Sequence, residues 1–438
     1  MRLRRLLVPL AVLALLAGAC GNDDDNDVTP PEDAELGEDT GTVNLLTALD
    51  QTEADAVGAI FDDLIHSETD YTVEIEASPD FEEQFQIRAQ GGTLDLAAVP
   101  QPGAIPDLVE RGEIVSLESL GFDIDELNAQ FGEGFVALGE YEGQHYGLPT
   151  NINLKSMVWY PKEAFDAAGY EVPSTWDEMI ALSDQIVADG NTPWCIGLES
   201  GVATGWPATD WIEDIMLATA GVDVYDQWVA NEIPFTDDAV RNDFELLGEN
   251  LFTEGYVLGG SDAVADIFFG DAPGPMFDDP PGCFLHRQAS FIPAFFPEGA
   301  ETGVDYDWFP FPPIDQDGTL YAGELTVVGS NAARPEVIDF LERFMGEEVQ
   351  CEMGAVAGSS RISPNVDVGS DCYVDPILAD AADILTDALE QDTGRFDASD
   401  LMPAEVGSGS FWTGMVEYSR GGPDVLDDVL EDIEAGWG

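Results

Sequence analysis

Positive charge is what this chain has least of: 14 lysines and arginines stand against 88 aspartates and glutamates in 438 residues, a formal net charge of -74. That balance excludes binding of nucleic acid or of an anionic membrane surface through a basic patch, since both need clustered cations. Self-repulsion on this scale strains a compact fold in dilute buffer, whereas at 1 M salt the screening length falls to about 3 Å. The composition therefore points to a protein exposed to concentrated salt, with an acidic surface that merely keeps the protein soluble as the alternative; both readings concern habitat and not activity. Histidine is scarce as well, and His66, His145 and His286 lie far apart in no metal-ligand spacing. No GxSxG elbow, HExxH pair or phosphate-cradling glycine loop occurs. No cofactor, no metal and no catalytic residue is expected. Beyond residue 20 no apolar run is long enough to cross a bilayer, and no internal repeat of fixed period is present.

Cysteine is the next scarcity, with five in all. Arg2, Arg4 and Arg5 precede an apolar run from Leu6 to Leu16, and Leu16-Ala17-Gly18-Ala19-Cys20 closes it with small residues. The run is too short to span comfortably and has the pattern of a secretory signal. It resembles a bacterial lipoprotein signal, in which the cysteine becomes the lipidated first residue. Residues 1–19 are thus expected to be a signal peptide and 20–41 an acidic linker, too poor in apolar side chains to order itself. The expected location is the outer face of the cytoplasmic membrane, extracellular or periplasmic, held by a lipid anchor on Cys20. With Cys20 so assigned, Cys195, Cys283, Cys351 and Cys372 form an even set in an oxidising compartment. Three pairings are open. Cys195 with Cys283 and Cys351 with Cys372 is favoured, because the second closes a short loop rich in glycine and serine; the spacings lack the CxxC pairs of a structural zinc site.

About 400 residues remain after the linker, too many for one ordinary core and enough for two lobes. From Val43 the pattern alternates strand and helix. VNLLTAL is a short apolar run, Ala54, Val57, Ile60, Phe61, Leu64 and Ile65 recur at helical spacing, YTVEIEA reads as a strand, Phe81 to Ala89 as a helix, and LDLAAV as a third strand. This is repeated βαβ logic and predicts an α/β fold with a mostly parallel sheet. Ligands of such sheets sit beyond the carboxyl ends of the strands, so the loops after Leu49 and Val99 come first as site candidates. Further on, Pro161 opens a helix KEAFDAA that Gly169 closes, and Thr175 with Glu178 predicts a capping box.

The stretch VWYPKEAFDAAGYEVPSTWDEMIALSDQI is similar to the signature region of the extracellular solute-binding proteins of sugar ABC transporters, the group that includes maltose-binding protein. TLDLAAVPQPG, PWCIGLESGVATGWPATDWIEDIM, DAPGPMFDDPPGCFLHRQASFIPAFFPEG and LMPAEVGSGSFWTGMVEYSRGG extend the likeness in the family's order. Among its members the blocks most resemble the α-glucoside binders. The resemblance implies a two-lobed periplasmic-binding-protein fold of the maltose-binding-protein type, with hinge strands between the lobes. By that likeness lobe 1 comprises 42–150 plus 320–350 and lobe 2 comprises 152–312 plus 355–438. Crossings are expected near Pro149 to Lys155, Phe311 to Tyr321 and Cys351 to Gly358. It further implies a monomeric receptor that holds an oligosaccharide between the lobes and delivers it to the permease subunits of an ABC importer.

A pyranose offers an apolar face of C–H groups to an aromatic ring and an equator of hydroxyls to fixed donors and acceptors. Glu199, Trp206, Asp210 and Trp211 combine these types in one short segment, with Trp206 in a Gly-Trp-Pro loop; core packing is the competing role for each tryptophan. By alignment, Glu199 and Trp412 fall where the family has a sugar-contacting acid and a stacking tryptophan. Asp278 and Asp279 offer carboxylates in MFDDPPG, where a plain turn is the alternative. Gln101 follows the third strand and Asp50 the first. Glu324, Arg361 and Lys155 complete the candidates, each with a structural ion pair as its alternative. Around Thr47 to Glu53 the chain offers no aromatic or lysine, a departure from maltose-binding protein. A glycoside hydrolase would also use aromatic platforms and needs two carboxylates at the scissile bond, but among 88 acids such pairs carry no information. A non-catalytic adhesion protein, the other alternative, predicts no closed cleft. Binding without turnover accounts best for these residues.

Overall fold

Three apolar runs of the first hundred residues form parallel strands: β1 (Thr42–Thr47), β2 (Thr72–Ala77) and β3 (Leu96–Val99), in the order β2-β1-β3. The computed structural model describes residues 34–438 except 50, 79, 357, 358 and 360. The signal peptide, the lipidation of Cys20, most of the acidic linker and the candidate Asp50 lie outside the described residues. Helices Gln51–Phe61 and Phe81–Gly91 connect the strands, as the periodicity predicts. Side chains alternate across a strand, so the neighbours Leu45 and Leu46 enter different cores. Leu45 packs with Phe61 and Phe340, and Leu46 with Phe81, Phe85 and Val327. The sheet is covered on both faces, at about 1.5–3 kcal/mol for each large side chain buried.

The six-stranded sheet is mixed, with three parallel and two antiparallel pairings. After the two-residue strands β4 (Glu140–Tyr141) and β5 (Gln144–His145), β6 (Gly147–Leu154) leads directly into β7 (Met157–Tyr160). A three-stranded antiparallel sheet forms from β7 between β8 (His286–Arg287) and β9 (Asp307–Pro310). The long β10 (Thr319–Val328) then returns to the first sheet, antiparallel to β3 through Leu325–Val328 and antiparallel to β6 along most of its length. β11 (Gly394–Phe396) pairs with its first residues, in parallel. A strand arriving from the other sheet runs against the βαβ units, hence the mixed sheet. Two short segments, Lys155–Ser156 and 311–318, thus carry the chain between the sheets.

Local signals were read correctly where they are strictly local. Lys162–Ala168 is a helix ended by Gly169 at φ 75°. Thr175 Oγ1 accepts from Glu178 N, but the returning carboxylate of Glu178 takes Ser174 N at 2.8 Å, one residue earlier than a capping box requires. The disulfides are Cys195–Cys283 and Cys351–Cys372. Among the described residues no helix is long and apolar enough to cross a membrane.

Candidate functional site

The carboxyl ends of β1, β2 and β3 open onto a cleft of about 610 Å³. Ala48, Leu49, Ser78 and Gln101 border it on that side. Its floor is made by the strands that pass between the sheets. Along β6 and the residue after it, the sequence Asn151-Ile152-Asn153-Leu154-Lys155 alternates: Ile152 and Leu154 enter the core, while Asn151, Asn153 and Lys155 line the cleft. The Oδ1 atoms of Asn151 and Asn153 are buried and accept no hydrogen bond from the protein. Opposite them, the β6–β10 register slips at Glu324, and this bulge presents Glu324 to the cleft.

The facing wall is aromatic. Trp206, first residue of the helix Trp206–Ala220, lies 5.2 Å from Phe269 and 6.1 Å from Phe291 between ring centroids, and Phe268 and Phe295 extend the group. Trp412, 5% exposed, closes another side. Gly205 joins the two tryptophans: it holds φ +118°, and a Cβ there would sit 2.2 Å from the Trp412 carbonyl oxygen. Only glycine meets both demands.

Behind the wall is a buried ionic network. Trp412 Nε1 donates to Ser399 Oγ at 3.2 Å, and Ser399 Oγ donates to Asp397 Oδ1 at 2.8 Å. Asp397 binds the Lys155 amine, which also donates to Asp210 at 2.9 Å and lies 5.1 Å from the Trp206 ring centroid. Arg287 bridges Asp210 and Asp214, and Ser156 Oγ donates to Asp214 while accepting from Leu320 N. A continuous chain of contacts therefore joins both cleft tryptophans to the inter-sheet segment Lys155–Ser156 and, through Ser156 O accepting from Phe311 N at 2.9 Å, to the start of the other segment. Burial alone would lower the Lys155 amine, but Asp210 and Asp397 raise it above its usual range. Burial would raise Asp397, yet Lys155 holds it below the usual carboxylate range. Asp400, bordering the cleft, is pushed well up by burial and then by the charge of Asp397. Among the described residues the carboxylates of Asp210, Glu213 and Asp397 are close enough to hold a metal ion, but the ammonium of Lys155 already sits on two of them.

Of the candidates read from sequence, Gln101, Lys155, Glu199, Trp206, Glu324 and Trp412 line the cleft. Asp210 is fully buried behind it, bound to Lys155 and Arg287. Arg361 is buried beneath Glu324, 3.5 Å away, and donates to Thr150 O. Trp211 is 2% exposed, its ring 5.0 Å from Trp194 and 5.8 Å from Phe311, so it is a core residue. Asp278 and Asp279 are exposed in their turn and do not border the cleft. Sequence reading missed Asn151, Asn153, Asp397, Ser399, Asp400 and the phenylalanine wall. The polar alternation of β6 was a usable signal for the asparagines; the rest come together only through tertiary contacts.

Residues 51–350 match the model of the family described as bacterial extracellular solute-binding protein. The chain is 42% identical over 383 residues to the alpha-glucosides-binding periplasmic protein AglE of Rhizobium meliloti, covering 84% of this chain and 81% of that one. It is 39% identical over 374 residues to the osmoprotective compounds-binding protein GgtB of Synechocystis, covering 84% and 86%. The fold is similar to that of the bacterial solute receptor AcbH, with a TM-score of 0.75 at 18% identity over 90% of this chain and 97% of that one.

Proposed function

The chain belongs to the bacterial extracellular solute-binding protein family, a family of receptors and not enzymes, and from that membership we propose that it captures an α-glucoside or related oligosaccharide for an ABC importer. The observation that carries this reading is the composition of one cleft: Trp206 and Trp412 supply rings, while Asn151 and Asn153 turn buried, unsatisfied oxygens toward the same space. A buried acceptor without a donor costs about 1–3 kcal/mol, and a sugar hydroxyl would recover it. The pyranose C–H faces would stack on the tryptophans, and Gln101, Glu199, Glu324 and Asp400 would take further hydroxyls. Lys155, Asp210 and Arg361 hold these groups in position from behind.

In this reading the lobes are 42–150 with 320–350 and 152–312 with 355–438, and the segments at Lys155–Ser156 and 311–318 act as hinges. Sugar bound between the lobes favours the closed form, which docks on the permease; a ligand shifts such an equilibrium only by its differential affinity for the two states. Lipidation at Cys20 would keep the receptor beside that permease on the outer membrane face. Thermal-shift screening in concentrated salt with maltose, trehalose, sucrose and other α-glucosides tests the proposal. A hundredfold excess over Kd stabilises the folded state by about 2.7 kcal/mol. If none of these sugars moves the transition, the carbohydrate reading fails.

A further inference from the structure

We infer that this cleft selects its glycoside by charge, admitting neutral sugars and sugars bearing a protonated amine and rejecting those bearing a phosphate or carboxylate. The inference rests on the reading above and narrows its substrate class. Seven residues with carboxyl side chains border the cleft against one amine, that of Lys155. That amine is not available to an anionic ligand, because it is 5% exposed and held by Asp210 and Asp397. The guanidinium next nearest, Arg361, lies beneath Glu324 and does not reach the lining.

Helix starts are the remaining means of attracting an anion, since their free N–H groups and dipoles favour negative charge. Among the described residues three helices of eight residues or more have their start at the cleft; Trp412–Gly421 continues from the helical turn Glu405–Phe411, and the shorter Ala398–Leu401 is capped by the Asp397 carboxylate. Gln51–Phe61 carries Glu53 in its first turn, and Phe81–Gly91 carries Glu82 and Glu83, so each start already has its own carboxylate. Trp206–Ala220 opens on Trp206-Pro207, where proline has no N–H to offer. A phosphate entering here would meet carboxylates on several sides and no free cation. At an effective dielectric constant of about 20, one carboxylate roughly 8 Å away disfavours a second negative charge by about 30-fold. An ammonium meets the opposite field, beside the aromatic wall of Trp206 and Phe269, which itself favours cations.

The test is isothermal titration of the full protein with two matched series in one buffer, held at the lowest KCl concentration at which thermal melts show the protein folded, because salt screens the effect. The first is trehalose, trehalose 6-phosphate and 6-amino-6-deoxytrehalose; the second is methyl α-D-glucopyranoside, its uronic acid and its 6-amino-6-deoxy analogue. We expect each anion to bind at least 30-fold more weakly than its neutral parent and each amine at least as tightly as the parent. In the double variant Asp80→Asn, Glu82→Gln, which neutralises two carboxyl groups bordering the cleft, the anion-to-parent ratio narrows by at least tenfold; a ratio taken within one variant is insensitive to loss of folded protein. Anions within threefold of their parents, or amines tenfold weaker, overturn the inference. Binding of an anion where its parent does not bind overturns it too. Should the neutral and charged members all fail to bind, the sugar-receptor reading itself falls, and this inference with it.

Discussion

Replacing Lys155 with methionine tests the buried network that supports the cleft. Lys155 is 5% exposed, and its amine is held by Asp397 and, at 2.9 Å, by Asp210. Methionine fills similar volume but leaves two carboxylates short of a cation. Asp210 keeps Arg287 at 2.7 Å, whereas Asp397 retains only Ser399 Oγ and the Asp400 amide. Removing one partner of a buried ion pair costs about 3–5 kcal/mol, so Lys155→Met should lose about that much at pH 8. The pH dependence follows from the direction of the Asp397 shift. In the native protein its carboxyl is held below the ordinary value, which contributes stability that is present at neutral pH and lost as pH falls through that depressed value. Without Lys155 the same burial pushes it above the ordinary value, so the folded variant takes up a proton and regains stability as pH falls. The gap between the two proteins should therefore narrow from pH 8 to pH 5. Urea melts in 2 M KCl at both pH values measure it. A gap under about 1 kcal/mol at pH 8, or one that widens toward pH 5, refutes the reasoning.

Gly205→Ala should destabilise by about 1–3 kcal/mol and weaken sugar binding, because it combines a φ of +118° with a contact 2.2 Å from the Trp412 carbonyl; thermal melts and titration read the two effects. Asp243 is fully buried, accepts from Thr219 Oγ1 at 2.9 Å and leaves its second oxygen unpartnered, and burial pushes its carboxyl up to about 7. A raised acid loses stability as pH climbs from about 4 to about 7, so Asp243→Asn should gain up to about 4 kcal/mol at pH 8 and nothing at pH 4, measured by urea melts across that range. Breaking Cys195–Cys283, whose partners are 88 residues apart, by the double change to alanine should cost about 2–5 kcal/mol, checked by denaturation with and without reductant.

What the sequence disclosed follows the range of each interaction. Strand alternation from Val43 to Val99, the proline and glycine bounding Lys162–Ala168, and the position of a cleft beyond strand ends are local or follow from βαβ handedness, and each could be read directly. The antiparallel return of β10 could not, since it pairs residues some 170–230 positions apart. Trp211 shows another limit. The helix Trp206–Ala220 is buried from Pro207 through Ala218, so it has no solvent-exposed face against which a cleft face could be told. Asp210, Glu213 and Asp214 on that helix are enclosed because their partners arrive from distant parts of the chain, Lys155 on Asp210, Arg287 on Asp210 and Asp214, and the Ser399 amide on Glu213. Asp397 and Asp400 were hidden among many acids until that cluster assembled around them.

A crystal structure of the protein with the α-glucoside that gives the largest thermal shift would show whether one sugar lies between the two cleft tryptophans. A pyranose ring should stack on Trp206 or Trp412, with hydroxyls donating to Asn151 Oδ1 and Asn153 Oδ1. A sugar bound elsewhere, with those asparagine oxygens facing no hydroxyl, would contradict that placement.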